Sequence, residues 1–531
     1  MSTVTTRSFQ DIRRALLARQ ELALIDVREE DPFAQEHPLF AANIPLSKLE
    51  IEIYARVPRR ETAITVYDDG EGLAAVAAQR LLALGYHDVA LLEGGLAGWR
   101  AAGGELFRDV NVPSKAFGEL VESVRHTPSL AAEQVQALLD AKADVVVLDA
   151  RRFDEYQTMS IPGGVSVPGA ELVLRVAELA PNPTTQVVVN CAGRTRSIIG
   201  TQSLVNAGIP NPVAALRNGT IGWTLAGQQL AHGQDRRFAE VGEVTRSSAA
   251  QRARKVADQA GVLRLSRQGL ADWQADAGRT TYLFDVRTPE EYAKGHVPGS
   301  RSVPGGQLVQ ETDHVASVRG ARIVLVDDDG VRANMSASWL AQMGWQVAVL
   351  DGLSAADFGE TGEWQVPLPA QPQVDEIDVQ QLEALLAEPG TVLLDFTTSA
   401  NYVKRHIPGA HWAIRAQLAQ ALEHLPVAER YVLTCGSSLL ARFAAADLQA
   451  LTQKPVQVLA GGTARWIAAG KPLHSGEAQL AVPRTDRYRR PYEGTDNPRE
   501  AMQGYLDWEF GLIAQLERDG THGFEVLTQP L

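Results

Sequence analysis

The chain has two cysteines in 531 residues, so a disulfide scaffold is excluded and a reducing, cytoplasmic home is the expectation. It has no surplus of positive charge: 50 Lys and Arg face 64 Asp and Glu, a net charge of −14. That argues against non-specific nucleic-acid binding and against docking on an anionic membrane. No run approaches the roughly 18 consecutive apolar residues of a membrane span. The first twenty residues lack the apolar core of a signal peptide and read instead as a helix: Ser8 as N-cap, Asp11 three residues on, and an apolar stripe of Ile12, Leu16 and Leu17. Arg7, Arg13, Arg14 and Arg19 would also suit a mitochondrial presequence, but this helix has counterparts at the start of later segments. What the chain does have is 45% hydrophobic residues, enough for several cores, and a length that suggests three or four domains at roughly 150 residues each.

It also repeats itself. Four apolar strands end in Asp: Asp26, Asp149, Asp285 and Asp395. Turns follow at Ile161-Pro162-Gly163, Val297-Pro298-Gly299 and Ile407-Pro408-Gly409, with a degenerate Asn43-Ile44-Pro45-Leu46 in the first copy. A second apolar strand then leads into a loop beginning at Asp68, Cys191, Asp327 or Cys435, which lies 42, 42, 42 and 40 residues beyond the strand-end Asp. A closing motif ends each copy: Glu93-Gly94-Gly95 to Trp99, Arg217-Asn218-Gly219 to Trp223, Asp351-Gly352 to Phe358, and Ala460-Gly461-Gly462 to Trp466. Its aromatic lies 31, 32, 31 and 31 residues after the loop start. Self-similarity this regular identifies four copies of one supersecondary unit. Short apolar strands alternating with amphipathic helices predict, for each, a mostly parallel sheet with helices on both faces. Gly85, Gly208 and Gly344 are placed to end the helix after the loop. The predicted fold class is therefore α/β, with domains at 1–106, 126–230, 258–362 and 374–474 joined by linkers. A C-terminal helical extension, 475–531, is expected to clasp the domains, with a partner-binding helix as the alternative. In it, Pro498 opens a helix carrying Met502, Tyr505, Leu506, Phe510, Ile513 and Leu516.

The second copy carries the chemistry: Cys191-Ala192-Gly193-Arg194-Thr195-Arg196-Ser197. A cysteine at the end of a parallel strand and before a helix lies at the carboxyl edge of the sheet, where open α/β sheets bind ligands. Inward-pointing loop amides and the helix dipole make an anion cradle there. The same field is expected to lower the Cys191 thiol toward neutrality, with Arg194 and Arg196 as two fixed positive charges for an oxyanion and Gly193 permitting the turn. Asp68 and Asp327 at the corresponding positions predict inactive copies, with a divalent-metal site among their acids as the alternative. Cys435 is in register with Cys191 but lacks both arginines. It reads either as a second sulfur-carrying site or as a remnant. Arg28, Arg151 and Arg287 are expected to pair with a carboxylate beside the next turn, such as Glu155. Trp99, Trp223 and Trp466 are expected in the core or pocket wall, and His296 and His406 in structural roles.

The strand-end Asp-x-Arg, the Ile/Val-Pro-Gly turns, the Cys191 loop and the closing Gly-Gly to Trp together resemble the rhodanese sulfurtransferase superfamily over about residues 8–474, in four tandem domains. The resemblance implies a Cys191 persulfide, formed from a donor such as thiosulfate, held by the amides of Ala192 to Ser197, and delivered to a thiophilic acceptor, cyanide or a thiol. It implies no metal and no organic cofactor. The six residues from Cys191 to Arg196 match sulfurtransferases rather than the related phosphatases and arsenate reductases, whose loop is one longer. 3-Mercaptopyruvate is the alternative donor, and a non-enzymatic sulfur carrier or scaffold is the alternative of another class. Four copies in one chain are compatible with a monomer or a homodimer.

Overall fold

The structure is a computed structural model that describes residues 4–528; the outermost residues of the N-terminal domain and of the C-terminal extension, 1–3 and 529–531, lie outside it. It contains four five-stranded sheets, one per repeat, each ordered first–fifth–fourth–second–third in chain sequence. In the second unit the strands are Ser129–Leu130, Val145–Asp149, Val165–Ser166, Gln186–Asn190 and Val213–Leu216, and every ladder is parallel. The fourth strand shows why the sheet takes helices on both faces. Val188 packs with Val135, Leu216 and Trp223 on one face. Its neighbours Val187 and Val189 pack with Leu172, Val176 and Leu204 on the other. A strand buried on both sides needs the unbroken apolar run seen here.

Local signals act where they were read. Ser8 caps the helix Phe9–Leu17 in a reciprocal capping box with Asp11. Gly85, Gly208 and Gly344 follow their helices with φ of 93°, 63° and 83°. The segments between units are more than linkers. The first contains the helix Val112–Arg125, with Phe117 and Lys115 fully buried. The second contains the helix Glu243–Gln259, packed against the second and third units. The extension forms two helices, Arg499–Phe510 and Leu512–Asp519, with a break at Gly511.

The units pair in a nested order. The turn after the third strand is Leu46–Lys48, Gly169–Glu171, Gly305–Gln310 or Arg415–Gln417 in the four units. The turn of unit 1 meets that of unit 4, where Arg415 donates to both oxygens of Glu50 at 2.6 and 3.0 Å. The turn of unit 2 meets that of unit 3, where Gly306 abuts the Gly169 backbone and Arg332 reaches Glu171 at 2.9 Å. Each pair thus joins an Asp copy to a Cys copy. Units 1 and 3 also share one large core with Phe117, Leu512, Leu516 and Phe524, whereas unit 4 has a core of its own.

Candidate active site

Cys191 follows the strand Gln186–Asn190 and precedes the helix Thr195–Asn206. Its backbone is clamped by the closing motif: the Thr220 and Ile221 amides donate to the carbonyls of Cys191 and Ala192 at 2.9 and 3.0 Å. Gly219 (φ +56°) lies so close that a Cβ there would stand 2.3 Å from the Cys191 carbonyl oxygen. The glycine of the closing motif is therefore set by the loop it holds.

The cradle itself is visible by comparing the four copies. In unit 1 the amide of Ala74, six residues past Asp68, donates to the Asp68 carboxylate at 2.9 Å, and Gly70 donates at 3.1 Å. In unit 3 the amides of Ala333 and Gly330 hold Asp327 in the same way, at 2.7 and 3.1 Å. The aspartates fill their own anion cradles. At the cysteine copies the equivalent amides face sulfur: the Ser197 N–H stabilises a Cys191 thiolate, and the Ala441, Ser437, Leu440 and Ser438 amides stabilise one at Cys435. The Cys191 thiol also donates to the Ser197 hydroxyl at 3.4 Å, and that hydroxyl donates to the Arg194 carbonyl at 2.8 Å. Among the described residues no group of three or more His, Cys, Asp or Glu is placed to hold a metal ion.

Several sequence-based expectations are corrected here. The two arginines of the loop are not free charges. Arg194 grips both oxygens of Glu119 at 2.6 and 2.8 Å, also contacts Glu122, and lies under the Phe510 ring at 4.3 Å. Arg196 makes a two-point pair with Glu155 at 2.7 and 2.9 Å, and its charge outweighs the burial of that carboxyl and holds it at about 2. The Cys191 thiol is not depressed. It is 2% exposed, and burial pushes it up against the opposing pull of Arg196 and Ser197. Arg151 pairs with the strand-end Asp149, at 2.9 and 2.7 Å, and with the Met159 carbonyl, rather than with Glu155. Arg28 and Arg287 pair with Asp26 and Asp285 likewise. Thr195 points at Gly118 of the linker helix, and the Ala192 carbonyl is taken up by the closing motif. Of the loop residues, Gly193 faces another element: its missing Cβ would lie 3.1 Å from the Tyr505 ring and 3.4 Å from Glu509 Oε2.

Trp99, Trp223 and Trp466 are buried, and each indole N–H donates to a carbonyl six residues on. His296 and His406 stack on Tyr292 and Tyr402 at 3.8 and 3.9 Å. In unit 4, Thr397 replaces the arginine of the other copies, so Asp395 Oδ2 is buried without a partner and burial lifts that carboxyl to about 7.

The groups that sequence reasoning missed come from outside the repeats. Glu119, Glu122 and Lys115 belong to the linker helix, and Tyr505 and Glu509 to the extension. A signal existed for the last of these: Met502, Tyr505, Leu506 and Glu509 are the buried stripe of Arg499–Phe510, and a carboxylate occupies its final position. The extension does act as a clasp. The Ser399 amide of unit 4 donates to Asp486, Arg490 reaches Glu30 of unit 1, and Tyr505 lies on the Cys191 loop. A cavity of about 520 Å³ is bordered by Arg196 of the loop and by Arg151, Glu311, Arg490 and Tyr492.

A family model described as Rhodanese-like domain matches residues 10–102, 131–226, 266–353 and 378–469. A crystal structure of a thiosulfate sulfurtransferase from Pseudomonas aeruginosa is 78% identical, with a TM-score of 0.98, over 99% of this chain and all of that one. Two curated relatives are more distant. An uncharacterized protein of Synechocystis sp. is 31% identical over 112 residues, 21% of this chain and 59% of that protein. An HTH-type transcriptional regulator of Mycobacterium tuberculosis is 31% identical over 90 residues, 17% of this chain and 39% of that protein. The match thus spans less than two thirds of either curated relative.

Proposed function

The chain belongs to the rhodanese family and is a sulfurtransferase, and from that premise we propose that it moves the outer sulfur of thiosulfate to a thiophilic acceptor through a persulfide on Cys191. The observation that carries this reading is the position of Cys191: a buried thiol at the strand-to-helix loop, with the Ser197 amide on it where the paired copies hold a carboxylate. The Cys191 thiolate attacks the sulfane sulfur, the S–S bond of thiosulfate breaks, and sulfite leaves with its electron pair. The persulfide anion takes the place that the carboxylates of Asp68 and Asp327 occupy in their own cradles. An acceptor, cyanide or a thiol, then attacks the outer sulfur and regenerates the thiolate, a two-step cycle with ping-pong kinetics. The loop residues Ala192 to Ser197 shape the cradle, while Arg194 and Arg196 position it through Glu119, Glu122 and Glu155 rather than by neutralising the donor. Domain boundaries at 1–106, 126–230, 258–362 and 374–474 remain the proposed division.

That pairing also favours a second reading of the donor. With both arginines compensated, a less charged sulfur donor such as 3-mercaptopyruvate is not disfavoured. Cys435, with its neutral amide cradle, is the second proposed site. The test is Cys191→Ser and Cys435→Ser, each assayed with both donors and with persulfide read by intact mass. Turnover with thiosulfate is expected to vanish in Cys191→Ser and to survive in Cys435→Ser. Full activity of Cys191→Ser with both donors overturns the assignment.

A further inference from the structure

The Cys191 site poses an electrostatic problem for an anionic donor. Around it, Arg194, Arg196 and Lys115 are three buried cations, and they are answered by Glu119, Glu122, Glu155 and Asp109. A dianion entering this surround gains no net positive charge. One further carboxyl then decides the balance. Glu509, on the extension helix, is 0% exposed; the Tyr505 hydroxyl donates to its Oε1 at 2.9 Å, and its Oε2 has no partner. That oxygen faces Gly193 of the Cys191 loop. A buried carboxylate with an unpartnered oxygen is strongly disfavoured, whereas a buried carboxylic acid carries a donor to offer.

We infer that Glu509 is a specificity-determining residue of the sulfur-transfer site, which admits a dianionic sulfur donor while it is a neutral carboxylic acid and repels it when ionised. The inference rests on Cys191 being the persulfide-forming residue. The charged and titratable groups around Glu509 come from several elements. Lys115 and Glu119 come from the linker helix, Arg194 and Cys191 from the loop, Tyr505 from its own helix, and Tyr492, 3.4 Å from Lys115 Nζ and against the Tyr505 ring, from the extension ahead of that helix, with Asp109 behind Lys115. Burial, and after it the charge of Glu119, pushes Glu509 up to about 8; Lys115, the Tyr505 hydroxyl and Arg194 oppose this without reversing it. The carboxyl is thus neutral at and below physiological pH and ionises about pH 8, while burial pushes the Cys191 thiol up. The competent form, thiolate with neutral acid, is bounded on both sides. Thiosulfate attack conserves its total charge of −3 from thiolate plus dianion to persulfide anion plus sulfite, so the surround must tolerate the same charge before and after the step.

The experiment is the pH profile of kcat/KM for thiosulfate in the full-length chain and in Glu509→Gln, which keeps the shape and the neutral charge. The natural protein is expected to give a bell, because between pH 6.5 and 9.5 the neutral fraction of Glu509 falls about 30-fold from an ionisation near 8 while the thiolate fraction rises. In Glu509→Gln the alkaline limb disappears and the rate rises to a plateau. Identical alkaline limbs in the two proteins, or a natural profile with no alkaline limb, overturn the inference. A second measurement needs no variant: the ratio of kcat/KM for thiosulfate to that for benzenethiosulfonate, a monoanion, cancels the ionisation of Cys191 itself. It is expected to fall severalfold between pH 6.5 and 9.5, and a constant ratio overturns the inference. If Cys191→Ser abolishes turnover while these tests fail, the sulfur-transfer reading stands and the role of Glu509 falls. If Cys191→Ser retains turnover, both fall.

Discussion

Replacing Gly219 by alanine tests whether the closing motif holds the reacting loop. The added Cβ would lie 2.3 Å from the Cys191 carbonyl oxygen, 2.8 Å from the Ala192 carbonyl carbon and 2.8 Å from the Gly193 oxygen, where real contacts stay above 3.0 Å. The loop must therefore retreat by about 1 Å, because a close-packed interior offers no void to take up the overlap. The left-handed φ of +56° adds strain of roughly 1 kcal/mol, and overpacking adds about 1–3 kcal/mol more. A displacement of that size at a reacting group corresponds to about a hundredfold loss of rate. Gly462→Ala makes the matched control: its Cβ would stand 2.4 Å from the Cys435 oxygen at a φ of +62°. Both variants are expected to lose comparable stability by thermal unfolding. In the thiosulfate:cyanide assay only Gly219→Ala loses about a hundredfold in turnover. Retention of more than half of the activity by Gly219→Ala would refute the argument, and loss confined to Gly462→Ala would move the principal site to Cys435.

Other outcomes follow from the same contacts. Arg194→Met leaves the buried carboxylate Glu119 and the half-buried Glu122 without their cation and is expected to destabilise the chain by about 3 kcal/mol in urea unfolding. Adding Glu119→Gln recovers part of that loss, and strict additivity of the two changes would count against the pairing. Asp395 is held near 7 in the folded protein against 3.8 ordinarily, so the protonated acid is the form that folding favours. The stability it contributes is present below about pH 4 and is lost as pH rises through about 7, amounting to about 4 kcal/mol by pH 8. Asp395→Asn is therefore expected to raise the melting temperature of the unit 4 transition at pH 8 and to leave it nearly unchanged at pH 4. An equal shift at both pH values would contradict this.

Much of the architecture was legible in the chain because each repeat carries local rules that need no partner. Ser8 with Asp11 specifies a capping box, Gly208 a left-handed helix stop, and the Val187–Val189 run a strand buried on both faces. The recurrence of strand-end Asp, turn, loop and closing motif at constant spacing then multiplies four modest signals into one fold. Even the alternation of Asp and Cys at the loop start was visible, and with it the distinction between units that hold a carboxylate in the cradle and units that hold a thiol.

What the sequence alone determined is thus the repeat, the parallel sheet, and the place of Cys191 at the carboxyl edge of that sheet. Only the tertiary structure decided the electrostatics of that place. Arg194 and Arg196 look like free cations in the sequence because their partners lie far away in the chain: Glu119 and Glu122 in a linker helix, Glu155 beside an earlier strand. The thiol looks activated because the helix dipole is a local property, whereas the cover that Tyr505 and Glu509 place over Gly193 of its loop comes from a segment about 310 residues downstream. Nesting of unit 2 with unit 3, and of unit 1 with unit 4, is likewise a matter of which turn surfaces meet. Local propensity and spacing act within a unit; charge compensation, burial and pairing act between units, and no short-range pattern encodes them.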